Sequence, residues 1–252
     1  MHGLGFYQRT INVLLVVGFL LLASFGYLRL QAGSTGMMLR EQIVAADTRI
    51  IPDYELPPVQ DGRVPVILRI PTAKPVVFLT LDDGMTRRPE MIAELRRHHI
   101  KASLFLNDIY AREDPAFFRT LVRNGSVIEN HTLSHADLAS LSYEDQATEI
   151  CNNSTKMNTA FGHQPRLLRA PYGSYNDDTR RAAASCGMRA LVQWHAKVNG
   201  GSIQYQDGKG KLEAGDIVLM HFRPEFEDDL RAFVTATREA GLKPQLLEDW
   251  LL

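Results

Sequence analysis

The chain has 252 residues, of which 45% are hydrophobic and 23% are charged, and its formal net charge is -1. This composition is typical of a folded globular protein and excludes a disordered, collagen-like or strongly basic chain. Since a near-neutral charge gives no attraction to phosphate backbones, we predict no nucleic-acid partner.

The first predicted element is an apolar stretch over residues 11–28, which contains no charged side chain. A helix of that length spans roughly 27 Å, close to the hydrocarbon core of a bilayer. The stretch is long for a signal peptide and lacks a good small-x-small cleavage site, which favours an uncleaved anchor in residues 1–30. We therefore predict a single-pass protein of the cell membrane with an extracytoplasmic domain; cleavage of the segment would make the protein secreted instead.

Residues 31–64 are predicted to be a linker, because three prolines interrupt their second half. From residue 65 to residue 252, short apolar runs alternate with amphipathic segments, which predicts one domain. The predicted strands are 66–70, 76–81, 102–106, 126–129, 167–169, 190–194 and 217–221, and the predicted helices are 88–98, 115–124, 142–162, 176–186 and 226–240. Such alternation is typical of an α/β fold with a parallel sheet or barrel.

The chain contains two cysteines, Cys151 and Cys186, on two predicted helices. In an oxidising compartment they would form one structural disulfide. The alternative is a pair of buried thiols that act as small apolar residues.

The strand that begins at Val76 ends in two adjacent carboxylates, Asp82 and Asp83, followed by Gly84. An apolar run without polar alternation predicts a strand buried on both faces. Both carboxylates therefore lie at the carboxyl end of a central strand, where α/β folds place their chemistry. A helix-capping turn is the alternative interpretation.

A second polar segment, residues 130–135, follows another predicted strand and contains His131 and His135. Two histidines at i and i+4 would share one face of a helical turn and hold one ion. Two imidazoles and one carboxylate form an open zinc site that leaves a position for water.

Two further strand ends contain candidate residues. Pro171 fixes a turn that would direct the Tyr172 N–H into the site as an oxyanion donor, although an ordinary turn is the alternative. His221 ends an apolar strand, where a general acid could reach a leaving group. Leu219 points the same way as His221 and would line a small apolar pocket.

Taken together, these stretches resemble the polysaccharide deacetylase family, carbohydrate esterase family 4. The motifs that carry the resemblance are Thr80-Leu81-Asp82-Asp83-Gly84, Asn130 to His135, Arg169-Ala170-Pro171-Tyr172 and Leu219-Met220-His221. The resemblance covers roughly residues 65–251. It implies a distorted (β/α) barrel of about seven strands, one divalent metal ion and hydrolysis of N-acetyl groups on amino sugars.

The family's fourth motif is altered in this chain. Trp194 is a candidate for the motif's aromatic wall, but the aspartate that would pair with Arg169 is missing and Lys197 lies near its place. Since two nearby cations repel, we expect Arg169 to find another carboxylate.

The resulting prediction is a metal-dependent deacetylase that acts on an acetylated glycan such as peptidoglycan, a chitin-like oligomer or xylan. Asp83, His131 and His135 would hold the ion, which we expect to be Zn²⁺, and Asp82 would accept the proton of the attacking water. The Tyr172 N–H would stabilise the oxyanion, Leu219 would accept the acetyl methyl group, and His221 would protonate the leaving amine. A catalytically silent glycan-binding or scaffold protein and an O-acetyl esterase are the alternatives.

Overall fold

The computed structural model describes residues 50–252, and residues 52–252 form one compact unit. The predicted anchor in residues 1–30 lies outside the described residues, as does most of the predicted linker. In the described part of the chain, no helix is both long enough and apolar enough to cross a bilayer. The division into an anchor, a linker over 31–64 and a catalytic domain over 65–252 stays a prediction.

Ten strands form one sheet within residues 50–252. They are β1 Val66–Ile67, β2 Val76–Asp83, β3 Ser103–Leu106, β4 Val127–Asn130, β5 Leu167–Leu168, β6 Ala190–Val192, β7 Ala196–Asn199, β8 Ser202–Tyr205, β9 Asp216–His221 and β10 Lys243–Gln245. Their order is β1-β6-β5-β4-β3-β2-β9-β7-β8, with β10 beside β2. The pairings are parallel except for the β7–β8 hairpin.

Helices follow β2, β3, β4, β5, β9 and β10. They are α1 Pro89–Arg97, α2 Asp108–Ala111, α3 Pro115–Arg123, α4 Tyr143–Phe161, α5 Asp177–Ser185, α6 Phe226–Glu239 and α7 Glu248–Leu251. Capping residues lie at both ends of α4: the Ser142 side chain accepts a hydrogen bond from the Asp145 N–H, and Gly162 ends the helix at a φ of 70°. Asn176 caps α5 through a reciprocal capping box with Thr179.

Strand β2 lies at the centre of the sheet, and its burial follows from its apolar sequence. It pairs with β9 along one edge, and with β10 and then β3 along the other. Because every neighbour is parallel, the carboxyl ends of these strands meet at one edge of the sheet. This is the edge that carries Asp82 and Asp83.

The predicted α/β class is confirmed, but the number of strands exceeds the seven or so that the family resemblance implies. The strand pairings follow one path from β1 to β8, and an isolated bridge between Arg69 and Asp216 also joins the segment after β1 to β9. The β7–β8 hairpin was not predicted, although Gly200 and Gly201, both at positive φ, form a Gly-Gly connection of the kind that marks hairpins. Strand β10 is short, polar and half-buried, and no apolar pattern predicts it.

The predicted disulfide is present between Cys151 in α4 and Cys186, the residue that caps the end of α5. The bridge closes a sequence separation of 35 residues. It therefore links two helices that also pack on each other in the described fold.

Two buried carboxyl groups, Glu129 of β4 and Glu248 of α7, lie within the fold. Glu129 accepts hydrogen bonds from the backbone N–H groups of Arg166 and Leu167, and Glu248 accepts one from the Ser103 hydroxyl at 2.8 Å. Burial raises the pKa of Glu248 well above its usual range, and repulsion from Glu129 raises it further. Glu248 is thus favoured in its neutral form.

We expect Glu248→Gln to stabilise the protein at pH 7 relative to the native chain. Since the folded-state pKa of Glu248 is raised, the folded chain binds more protons than the unfolded chain above pH ~4.3, and stability falls as the pH rises from there through the folded-state pKa. Each unit of difference between the folded-state and unfolded-state pKa lowers the free energy of unfolding at high pH by about 1.4 kcal/mol. The isosteric glutamine, which does not ionise, would restore that free energy. Urea unfolding between pH 4 and pH 8 measures this. A native chain with the same pH dependence as the variant would contradict it, and exposed Glu55→Gln is the control.

Candidate active site

The carboxyl ends of the central strands surround a cavity of about 310 Å³. The last residues of β2 and β9 and the loops that follow β4 and β5 contribute most of its wall. The lining residues are Asp82, Asp83, His131, His135, Ala170, Tyr172, Gly173, Trp194, Lys197, Leu219, His221 and Arg223. The cavity therefore contains eight of the nine residues that the sequence singled out; the remaining one, Arg169, lies buried against Asp82.

Asp83, His131 and His135 converge in this cavity. Each offers one ligand atom, and these atoms all lie within 4.8 Å of one another. The His131 and His135 Nε2 atoms lie 3.4 and 3.1 Å from Asp83 Oδ1. That oxygen is buried and makes no hydrogen bond within residues 50–252. A buried carboxylate oxygen without a partner, faced by two imidazole nitrogens, fits a bound cation.

The local backbone around the two histidines differs from the prediction. Residues 131–135 do not form a helical turn, because Thr132 and His135 have φ values of 65° and 61°. Side chains hold this loop instead: Asn130 Oδ1 accepts from the Thr132 N–H, and Thr132 Oγ1 accepts from the His135 N–H. The two imidazoles still come together, with ring centroids 5.0 Å apart.

Hydrogen bonds also orient the two imidazoles. His131 Nδ1 lies 2.8 Å from the carbonyl oxygen of Arg169, so that nitrogen donates its proton and the Nε2 lone pair faces Asp83. His135 Nδ1 lies 3.2 Å from the Tyr172 hydroxyl. Partners of this kind fix the tautomer of a metal-binding histidine.

The charges in the cavity favour a cation at the same place. Burial opposes ionisation of Asp83, but the facing imidazoles of His131 and His135 outweigh it and hold the pKa of this carboxyl well below its usual range. Burial opposes protonation of His131, yet the Asp82 and Asp83 carboxylates raise its pKa. The three side chains thus stabilise positive charge between them.

Asp82 is held from the other side by Arg169. The Arg169 Nη1 atom donates to Asp82 Oδ1 at 2.8 Å and to the Thr80 hydroxyl at 2.6 Å. Its other nitrogens donate to the carbonyl oxygens of Val192 and Gln193. Arg169 is fully buried, so this ion pair is shielded from water.

This pairing identifies the carboxylate that Arg169 was expected to find. The partner is Asp82 itself, which lies 87 residues away in sequence. The guanidinium also stacks over the Phe105 ring, 4.3 Å from its centroid. The altered fourth motif therefore leaves Arg169 with a full set of partners.

Tyr172 lies in a short turn, Pro171–Gly173, with a φ of 61°. Its ring packs on His135 and is largely exposed, and its N–H has no hydrogen-bond partner in the described residues. Gly173 allows the turn to approach Trp194, because a Cβ there would lie 2.9 Å from the indole ring. The turn thus places Tyr172 and Trp194 on the same cavity wall.

His221 and Leu219 point into the cavity from β9, as the sequence predicted. In the β2–β9 register, His221 lies opposite Asp82 and Leu219 lies opposite Thr80. Burial lowers the pKa of His221, and nearby Arg223 lowers it further, while Asp82 opposes the shift. Leu219 is buried and supplies an apolar surface.

Arg223 is a cavity residue that sequence reasoning did not single out. It lies two residues beyond His221, a spacing that returns a side chain to the same face of an extended segment. This spacing was the only local signal of its position.

The sequence of the chain is similar to those of known deacetylases. Residues 69–191 match the family profile described as polysaccharide deacetylase. A chitooligosaccharide deacetylase of Sinorhizobium fredii is 30% identical over 60% of this chain and 73% of its own length. The chain belongs to the polysaccharide deacetylase family.

The chain is also similar to a second sequence relative and to a solved structure. An uncharacterised Streptomyces coelicolor protein is 36% identical over 74% of this chain and 77% of its own length. A solved peptidoglycan N-acetylglucosamine deacetylase shares the fold, with a TM-score of 0.65 and 23% identity, and covers 74% of this chain and 92% of its own.

Proposed function

We propose that this member of the polysaccharide deacetylase family is a metal-dependent hydrolase that removes acetyl groups, above all N-acetyl groups, from an amino-sugar polymer. The observation that carries the proposal is the arrangement around Asp82 and Asp83. One carboxylate faces two oriented imidazoles, and its neighbour is held by a buried arginine. The names of the relatives agree with this activity.

Asp83, His131 and His135 would hold the metal ion. A carboxylate with two imidazoles suits zinc, and three protein ligands leave positions for water and substrate. When bound, a divalent ion polarises the acetyl carbonyl and makes a water more acidic. The unpartnered Asp83 Oδ1 and the oriented His131 Nε2 are the features that fit such an ion.

The other cavity residues would carry out the proton transfers. Asp82 accepts the proton of the attacking water, and Arg169 keeps Asp82 in place for it. The Tyr172 N–H donates a hydrogen bond to the tetrahedral oxyanion. His221 then donates a proton to the leaving nitrogen, and acetate departs from the cavity with its methyl group against Leu219.

We place the site outside the cytoplasm, anchored in the cell membrane through residues 11–28, or secreted if that segment is cleaved. The apolar character of the segment and the Cys151–Cys186 disulfide support this location, since disulfides persist in oxidising compartments. The substrate would then be a glycan of the cell envelope or the surroundings: peptidoglycan, a chitin-like oligomer or acetylated xylan.

Acetate release by the full chain tests the proposal. We expect release from chitin oligomers or peptidoglycan in the presence of zinc, and its loss with a chelator. Release from acetylated xylan alone would replace N-deacetylation by O-deacetylation. No release from any substrate, by a protein that still binds zinc, would favour a silent glycan-binding protein.

A further inference from the structure

Two basic side chains, Lys197 and Arg223, lie on the cavity wall beside the proposed leaving-group side. Lys197 of β7 is paired with Leu219 of β9, and paired residues project from the same face of a sheet. Since Leu219 lines the cavity, the Lys197 side chain extends over the same apolar surface. Arg223 reaches the cavity from the segment just after His221.

Neither cation makes an ion pair within residues 50–252, although buried Asp229 attracts Arg223 from beyond ion-pair distance. The Arg223 Nη1 atom donates to Asn199 Oδ1 at 3.0 Å, a neutral amide that orients the guanidinium without cancelling its charge. No carboxylate in residues 50–252 lies within ion-pair distance of Arg223 or Lys197. The Lys197 ammonium also makes no hydrogen bond in this part of the chain. Both side chains are partly exposed at the cavity wall, so their charges are open to a group that enters with the substrate.

The two acidic residues of the cavity are already engaged. Asp82 accepts from Arg169, and Asp83 faces the two imidazoles that would hold the metal ion with it. No acidic residue of the cavity is therefore left to pair with the positive charges of Lys197 and Arg223. An anionic group on the substrate could pair with both side chains when it enters the cavity.

We propose that Lys197 and Arg223 form an anion subsite that selects acetylated glycans carrying a carboxylate on the sugar being deacetylated or on its neighbour. This inference rests on the proposed function and narrows its substrate class. A guanidinium matches a carboxylate with two parallel hydrogen bonds, and an ammonium adds a point charge. N-acetylmuramic acid, whose ether-linked lactyl group carries a carboxylate, would fit this subsite, whereas a chitin-like oligomer has no charged group to bind there.

The test compares two substrates that differ in one charge. The first is a glycan strand that contains N-acetylmuramic acid with its free carboxylate, and the second is the same strand with that group converted to a methylamide. We expect native kcat/KM to be higher for the acid by about tenfold or more, mainly through KM, since a charge-assisted hydrogen bond is worth that much. The preference should weaken as salt is raised.

Variants locate the origin of the preference. In the double variant Lys197→Met with Arg223→Gln, the ratio of the two kcat/KM values should fall to near one, and each single variant should lose part of it. Lys197→Arg, which keeps the charge, should retain the preference. Exposed Lys156→Gln on α4 is the matched control and should keep the native ratio.

A binding measurement separates this inference from catalysis. The acid strand should bind the chelator-treated protein more tightly than its methylamide in calorimetric titration, and the double variant should bind both equally. If the native protein releases acetate from both strands at the same kcat/KM, the proposal of an anion subsite is wrong, while the proposed deacetylase activity is supported. If it releases acetate from neither strand, nor from a chitin oligomer, the proposed function itself is wrong.

Discussion

Replacement of Asp82 by asparagine is expected to lower kcat for acetate release by about 10²–10⁴-fold, the usual contribution of a general base. Asparagine has the same shape and keeps an oxygen for the Arg169 Nη1 hydrogen bond, but it cannot accept the proton of the attacking water. Steady-state acetate release with saturating substrate and zinc measures the effect. Zinc binding should survive, because Asp82 is not among the three proposed ligands.

The matched control is Asp228→Asn. Asp228 is exposed on α6, where it pairs with Arg231, and its loss should leave kcat near the native value. Full activity of the Asp82→Asn protein would contradict the proposed role of Asp82 in proton transfer. Equal loss of activity and of zinc binding would instead assign Asp82 to the metal site.

The largest effect on stability is expected from Arg169→Met. The change removes the partner of a buried carboxylate, and breaking a buried ion pair in this way costs about 3–5 kcal/mol. It also leaves the Thr80 hydroxyl and the Val192 and Gln193 carbonyl oxygens without their donor. Urea unfolding of the full chain at neutral pH measures the change in unfolding free energy.

A double-mutant cycle shows whether the ion pair is the cause. In Asp82→Asn with Arg169→Met no lone buried charge remains, so the combined loss of unfolding free energy should be smaller than the sum of the two single losses. The exposed pair Asp228 and Arg231 provides the matched cycle and should show little coupling. Strict additivity at the buried pair would contradict the account.

The sequence predicted the site better than the loops around it. Asp82, Asp83 and His221 were placed correctly because apolar runs identify buried strands, and chemistry-bearing residues followed those runs directly. The pairing of Arg169 with Asp82 could not be read locally, since it joins the residue after β5 to β2 across the sheet. Spacing alone suggested a helical turn for the histidines, whereas hydrogen bonds from backbone N–H groups to the Asn130 and Thr132 side chains determine that loop.

The altered fourth motif shows the same limit. Lys197 was recognised only as a departure from the family pattern, because its position depends on its register with Leu219. Arg223 was missed for a similar reason: its neighbour Asn199 lies on another strand. A local pattern identifies which residues end a strand, but only the register shows which of them share a wall.

The most direct test of the account is the stoichiometry of zinc against activity. Calorimetric titration of the chelator-treated full chain should show one zinc ion per chain, with acetate release restored in step with binding. Asp83→Asn should lose both, and asparagine tolerates the φ of 72° at this position. Undiminished acetate release in the chelated protein, or native zinc binding by Asp83→Asn, would contradict the account.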